Sequence, residues 1–210
     1  MSRVKGVIFD MDGVLIDAKE WHYEAMNQAL SLFGSTITRA EHEGEFDGLP
    51  TRDKLNRLTE RSGLPPALHS FINEMKQRYT MNLIHQNCIP VDQHQYALSQ
   101  LKQAGYRLAV ASNSVRGSIE CMLSRANLLP YLEFTLSNED VKSGKPDPEI
   151  YLLAQHRLGL KPHECVIVED NPHGIAAARA SGANVLAVKD PSEVTWTRIH
   201  HFIKQCEAAA

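Results

Sequence analysis

Five short stretches of this chain are mainly apolar rather than apolar at alternate positions: residues 4–9, 108–111, 134–136, 166–168 and 185–188. Alternation marks a strand with one wet face. An unbroken run, most of these being rich in β-branched residues, marks a strand covered on both faces. Helical periodicity fills the gaps between the later runs. Residues 96–104 carry Ala97, Leu98 and Leu101 and stop at Gly105; 117–126 carry Ile119, Met122, Leu123 and Ala126; 148–158 are followed by Gly159. Glycine just past a helix is the usual left-handed stop. Strand and helix in alternation predict an α/β fold, with a doubly wound, mainly parallel, five-stranded sheet.

The rhythm breaks once. About 100 residues separate the first run from the second, far more than one crossover helix requires. The gap contains three segments of helical spacing and no strand. Residues 20–33 carry Trp21, Ala25, Met26, Ala29, Leu32 and Phe33; 52–61 carry Leu55 and Leu58; 67–83 carry Leu68, Phe71, Ile72, Met75 and Tyr79. The expectation is an inserted α-helical bundle over residues 17–88, joined by two hinges to a core made of 1–16 and 89–210. The tail at 207–210 is too short to read.

Composition removes other classes. The chain has 210 residues, 43% hydrophobic and 22% charged, an ordinary globular mixture that can bury a core without staples. Twenty-two Lys and Arg against 25 Asp and Glu leave a net charge of −3, which gives no basic groove for nucleic acid. No apolar run approaches the roughly 20 residues a membrane helix needs. The amino-terminal MSRVKGVIFDMDG has an acid ten residues in and no small-residue cleavage site, so it does not read as a signal peptide. Cys88, Cys121, Cys165 and Cys206 are far apart and form no CxxC, which argues against a disulfide framework or zinc site and for a reducing, cytoplasmic compartment.

The chemistry-bearing residues follow the strands. After the first comes Asp10-Met11-Asp12-Gly13; ligands of open α/β sheets sit outside the carboxyl ends of strands, and two carboxylates that close need a cation or a shared proton. After the second comes Ser112-Asn113-Ser114, a hydroxyl and backbone amides at a helix start, which can hold an anion. Lys145 lies in SGKPDP, a loop stiffened by two prolines. After the fourth strand come Glu169 and Asp170, oxygen donors for a small hard cation, of which Mg²⁺ is the usual choice beside phosphate. Each alone is an ordinary turn or cap. Together they supply a nucleophilic carboxylate, a second carboxylate for proton transfer, a hydroxyl, an ammonium and metal-binding acids, the parts phosphoryl transfer needs.

DMDGVLID, ASNS, SGKPDPEIY and VEDNPHGIAAARASGA resemble, in order and spacing, the four motifs of the haloacid dehalogenase-like hydrolases. The long helical insertion looks like the cap of the β-phosphoglucomutase and phosphoglycolate phosphatase group. The resemblance implies a Rossmann-like core. It implies Asp10 as nucleophile forming an aspartyl-phosphate, and Asp12 as the acid that protonates the leaving oxygen and then activates water. Ser112, Asn113 and Lys145 would hold the phosphoryl group. Mg²⁺ would sit on Asp10, the Asp12 carbonyl and Asp170, with Glu169 as a ligand or an acid just behind. Asp12 argues against a dehalogenase, which has no alkoxide to protonate. In the insertion, Phe46–Arg52 resembles the substrate-specificity loop, with Gly48 and Arg52 as candidate substrate contacts; His22 stands where related enzymes carry a histidine near the leaving group. Asp47 replaces the lysine that mutases carry before that glycine, and Ala18 replaces the usual Ser or Thr after Asp17. The expectation is therefore a Mg²⁺-dependent phosphatase of a small phosphorylated metabolite such as a sugar phosphate or phosphoglycolate. β-Phosphoglucomutase is the alternative, and a catalytically silent phosphometabolite-binding protein the remote one. A capped enzyme closes its site without a partner, so a monomer is expected, with no nucleic-acid or membrane partner.

Overall fold

The computed structural model describes residues 3–209; residues 1, 2 and 210, at the ends of the amino-terminal stretch and of the tail, lie outside. The strands are β1 (Gly6–Phe9), β2 (Arg107–Ala111), β3 (Phe134–Leu136), β4 (Cys165–Glu169) and β5 (Asn184–Ala187). They form one sheet in the order β3-β2-β1-β4-β5, every pair parallel. β1 and β4 are buried at every residue, the Glu169 carboxylate at the end of β4 included. The helices are α1 (Lys19–Ser31), α2 (Arg39–Glu41), α3 (Thr51–Ser62), α4 (His69–Asn87), α5 (Asp92–Gln103), α6 (Arg116–Arg125), α7 (Glu149–Arg157), α8 (Pro172–Ala180) and α9 (Trp196–Ala209).

The chain divides into two compact units, Met1–Asp17 with Ile89–Ala210, and Ala18–Cys88. Each has its own core. In the first, Ile8, Ala109 and Ile167 of the sheet pack with Ile150, Tyr151, Ala154 and Leu158 along α7 and Ala177 and Ala178 of α8. In the second, Met26, Ala29 and Leu30 of α1 pack with Ile37, Phe46, Leu55, Leu58 and Ile72. No strand forms between residues 18 and 88.

Three details differ from the sequence expectation. Helix α4 begins and ends later than its apolar spacing suggested, because a 3₁₀ turn at Pro66–Leu68 precedes it and Leu83 and Ile84 carry the buried stripe onward. Residues 39–46, which showed no period, form the short α2 and then a π-turn, His42–Phe46. Helix α9 takes up most of the tail, anchored by buried Ile199 and Ile203. No described helix is long and apolar enough to cross a membrane.

Register sets the functional edge. Phe9 sits opposite Val110 of β2 and Val168 of β4, so Asp10 is level with Ala111 and Glu169. The Asp10 amide still donates to the Val168 carbonyl at 3.0 Å, keeping the residue at the sheet's edge. Beyond it the chain folds back: the Leu15 and Ile16 amides donate to the Met11 carbonyl, and Gly13, at φ 86°, turns the backbone where a side chain is disfavoured.

Candidate active site

Asp10, Lys145, Glu169 and Asp170 come together at the carboxyl edge of the sheet. Lys145 Nζ donates to Asp10 Oδ1 at 2.5 Å and to Glu169 Oε1 at 2.7 Å. Asp10 is 7%, Lys145 5% and Glu169 1% exposed, so this ion triad is nearly dry. Burial pushes the Asp10 carboxyl well above the usual carboxylate range against the pull of Lys145, and the Glu169, Asp12 and Asp170 carboxylates push the same way. Burial also opposes the Lys145 charge, but the Asp10 and Glu169 carboxylates outweigh it and hold the ammonium pKa above its ordinary value. Lys145 is therefore a fixed cation.

Glu169 is the centre of this bonding. Its Oε1 also accepts from the Tyr151 hydroxyl at 2.7 Å, and its Oε2 accepts the Asp170 and Asn171 amides at 2.9 and 3.1 Å. Burial, then Glu169, raises the Tyr151 phenol well above its ordinary value, so it stays a neutral donor. Its ring centroid lies 4.6 Å from Lys145 Nζ, a cation–π contact. Gly174, in the first turn of α8, makes room: a Cβ there would come within 1.7 Å of Glu169 Oε1.

The loop carrying Lys145 is held at both ends. The Glu149 carboxylate accepts the Lys142 and Ser143 amides, and the Asp147 carboxylate accepts the Glu149 amide. The Asn113 side chain grips the Lys145 backbone, accepting its amide at 3.0 Å and donating to its carbonyl at 3.3 Å. Asn113 thus places Lys145 with its side chain and leaves only its backbone for an anion. The Asp12 carboxylate meets two hydroxyls: its Oδ2 accepts from Ser114 Oγ at 2.7 Å and Ser112 Oγ at 3.4 Å.

Three carboxylates, from Asp10, Glu169 and Asp170, each offer an oxygen within 4.8 Å of the others, a hard-oxygen donor set of the kind Mg²⁺ takes. Because both Glu169 oxygens are engaged by Lys145, Tyr151 and two amides, Asp10 and Asp170 are the better placed of the three to donate to a cation.

The other expected contacts lie in the helical unit. His22 Nδ1 is 3.3 Å from Lys76 Nζ. Gly48 follows the π-turn with φ 73°. The Arg52 side chain is 81% exposed, with its Nε 3.5 Å from the Asp53 carboxylate. Sequence reasoning gave Tyr151 no role in the site, named Ser114 only as part of the anion-holding turn, and noted Gly174 without the carboxylate that needs its space. Tyr151 sits at a position of α7 that apolar spacing assigns to packing, and Ser114 reads as a helix cap.

Fold and site together set a buried carboxylate beside a fixed lysine at the carboxyl edge of a parallel sheet flanked by helices. A family model for haloacid dehalogenase-like hydrolases matches residues 7–188, and the chain belongs to that family. It is 33% identical over 182 residues to a phosphorylated carbohydrates phosphatase of Thermotoga maritima, covering 85% of this chain and 82% of that one. It is 28% identical over 189 residues to a fructose-1-phosphate phosphatase of Escherichia coli, covering 90% and 98%. A β-phosphoglucomutase structure from Clostridium difficile superposes with a TM-score of 0.85 over 98% of this chain and 99% of that one, at 21% identity, a likeness of fold. The chain is a phosphoric monoester hydrolase of this family.

Proposed function

We propose that this enzyme hydrolyses a small phosphorylated metabolite, a sugar phosphate or a compound like phosphoglycolate, through a phosphoryl-aspartate on Asp10, with Mg²⁺ as cofactor. The observation that carries the reading is the dry triad of Asp10, Lys145 and Glu169. Lys145 offsets the charge of Asp10 so that its carboxylate can approach a phosphate dianion. Asp10 and Asp170, with the Asp12 carbonyl, would hold the Mg²⁺, which supplies charge neutralisation of the phosphoryl oxygens when bound.

An Asp10 oxygen attacks phosphorus, and the bond to the leaving oxygen breaks with its electron pair going to that oxygen. Asp12, protonated, gives its proton to the departing alkoxide. The Asp12 carboxylate then takes a proton from water, which attacks phosphorus, frees inorganic phosphate and regenerates Asp10. Ser112, beside Asp12 and buried, and the amides that follow it would receive the phosphoryl oxygens. His22, Gly48 and Arg52 of the helical unit would contact the rest of the substrate, with that unit acting as a cap.

The test is phosphate release from a panel of sugar phosphates, phosphoglycolate and an aryl phosphate, with Mg²⁺ and with chelator. Turnover with Mg²⁺, lost in chelator and in Asp10→Asn, is expected. Full activity in Asp10→Asn overturns the nucleophile, and turnover of nothing in the panel leaves a phosphometabolite-binding protein. β-Glucose 1-phosphate with a bisphosphate primer separates the mutase: glucose 6-phosphate appearing faster than free phosphate favours it.

A further inference from the structure

Tyr151 carries a hydroxyl into a place where a phenylalanine would pack as well. It is fully buried, in the core that holds Ile150, Ala154 and Leu158 of α7 and Ile8 and Ile167 of the sheet. A buried hydroxyl costs free energy unless it is bonded. Here it donates to Glu169 Oε1 at 2.7 Å, while the face of the ring meets Lys145 Nζ.

That bond completes the set around Glu169. An ionised carboxylate offers about four lone-pair sites. Oε1 accepts from Tyr151 and Lys145, and Oε2 accepts the Asp170 and Asn171 amides, so four donors meet those sites. The first turn of α8 closes in beside them, where a Cβ on Gly174 would collide with both carboxylate oxygens. The amides come from the next residues along the chain, and Lys145 is shared with Asp10. The Tyr151 hydroxyl reaches Glu169 from a separate element, α7.

Glu169 nonetheless stands within reach of a cation. One oxygen each from Asp10, Glu169 and Asp170 lie within 4.8 Å of one another. Three carboxylates can gather there, and one of them is tied back. The number of carboxylates decides which hard cation such a cluster favours. Mg²⁺ is held by few carboxylates and keeps several waters in a near-octahedral shell, whereas Ca²⁺ takes about six to eight oxygens and often grips a carboxylate through both of its own. Withholding Glu169 therefore takes more from Ca²⁺ than from Mg²⁺.

We propose that Tyr151 is a positioning residue that straps Glu169 out of the cation's coordination shell and so makes the carboxylate cluster select Mg²⁺ over Ca²⁺. This rests on the Mg²⁺ reading above. Without the hydroxyl, Glu169 Oε1 loses a donor and the side chain can turn toward Asp10 and Asp170 as a third ligand, of which Ca²⁺ makes the greater use.

Titration of the full chain with each metal alone, followed by backbone amide NMR, gives a Kd for Mg²⁺ and one for Ca²⁺. Tyr151→Phe keeps the ring beside Lys145 and removes the bond to Glu169. It is expected to raise Ca²⁺ affinity relative to Mg²⁺ about tenfold, the size of one hydrogen bond to a charged group. An unchanged ratio overturns the proposal. Adding Tyr151→Phe to Glu169→Gln should produce no such gain, because the amide brings no charge to the cation; a gain that survives there runs through something other than Glu169 and also overturns it. The wild-type protein supplies a second measurement, independent of how the variants fold. Carboxyl ¹³C NMR should show the Asp10 and Asp170 resonances moving as Mg²⁺ binds and that of Glu169 moving far less. A Glu169 resonance that moves as far as theirs overturns the strap. Binding of neither cation to the wild-type protein overturns the Mg²⁺ reading and this one with it, whereas binding with a constant ratio overturns the strap alone.

Discussion

At the scale of single residues, Ser114 makes the sharpest case for how the site divides its labour. Its hydroxyl is the nearer of the two on Asp12 Oδ2, at 2.7 Å, with Ser112 at 3.4 Å. Asp12 has to give up a proton and later take one, so its orientation matters most when the leaving oxygen is a poor leaving group. Ser114→Ala is therefore expected to lower kcat about tenfold for an alkyl phosphate, the size of one lost hydrogen bond to a charged group. It should change kcat little for an aryl phosphate, whose leaving oxygen needs no proton. Equal losses on both substrates would show Ser114 acting on binding instead. The residues at the sheet's edge were legible as a set because they close apolar runs, Asp10 and Asp12 after the first and Glu169 and Asp170 after the fourth, each ordinary alone and telling only together. Tyr151 was not, because a tyrosine at a core spacing of α7 looks like packing, and only the fold reveals that its hydroxyl ends on Glu169. Gly174 was hidden for the same reason: its need is set by a carboxylate that arrives from β4.

At the scale of elements, periodic segments were readable and the aperiodic one was not. The five strands and the long helices carry unbroken or 3.6-spaced apolar residues, which no competing structure satisfies as well. The stretch HEGEF has a glycine and three charged or titratable residues among five, and its π-turn is stabilised by burying Phe46 and His42 rather than by local propensity. That burial has a pH signature. The His42 pKa is about 4 in the folded protein and 6.5 when unperturbed. Between those values the unfolded chain binds more protons than the folded one, so unfolding gains ground as pH falls. Stability from this group is complete above pH 6.5 and is lost progressively toward pH 4, by about 3 kcal/mol over the full shift. Urea unfolding at pH 7 and pH 5 in phosphate-free buffer, followed by a probe in residues 18–88, checks this. His42→Phe should flatten the difference; an unchanged pH slope would remove His42 as its source.

At the scale of the whole molecule, the presence of two separate cores determines where ligand binding is felt. The carboxylates at the sheet edge belong to the unit built on Ile8, Ala109 and Ile167, whereas Met26, Leu30 and Leu58 close a different core. A ligand that binds only the folded state stabilises the part whose unfolding destroys its site, by about 2.7 kcal/mol at a hundred times its dissociation constant. Mg²⁺ should therefore raise hydrogen-exchange protection of amides in β1, β2 and β4, while those of α1, α3 and α4 change far less. Asp170→Asn should abolish the gain, since it removes a donor of the carboxylate set. The gain should also shrink as pH falls, because burial holds a proton on Asp10 more tightly than on a free carboxyl and that proton competes with the cation. Protection rising equally throughout both units would mean that the chain opens as one cooperative body, and that the division into two cores does not govern its unfolding.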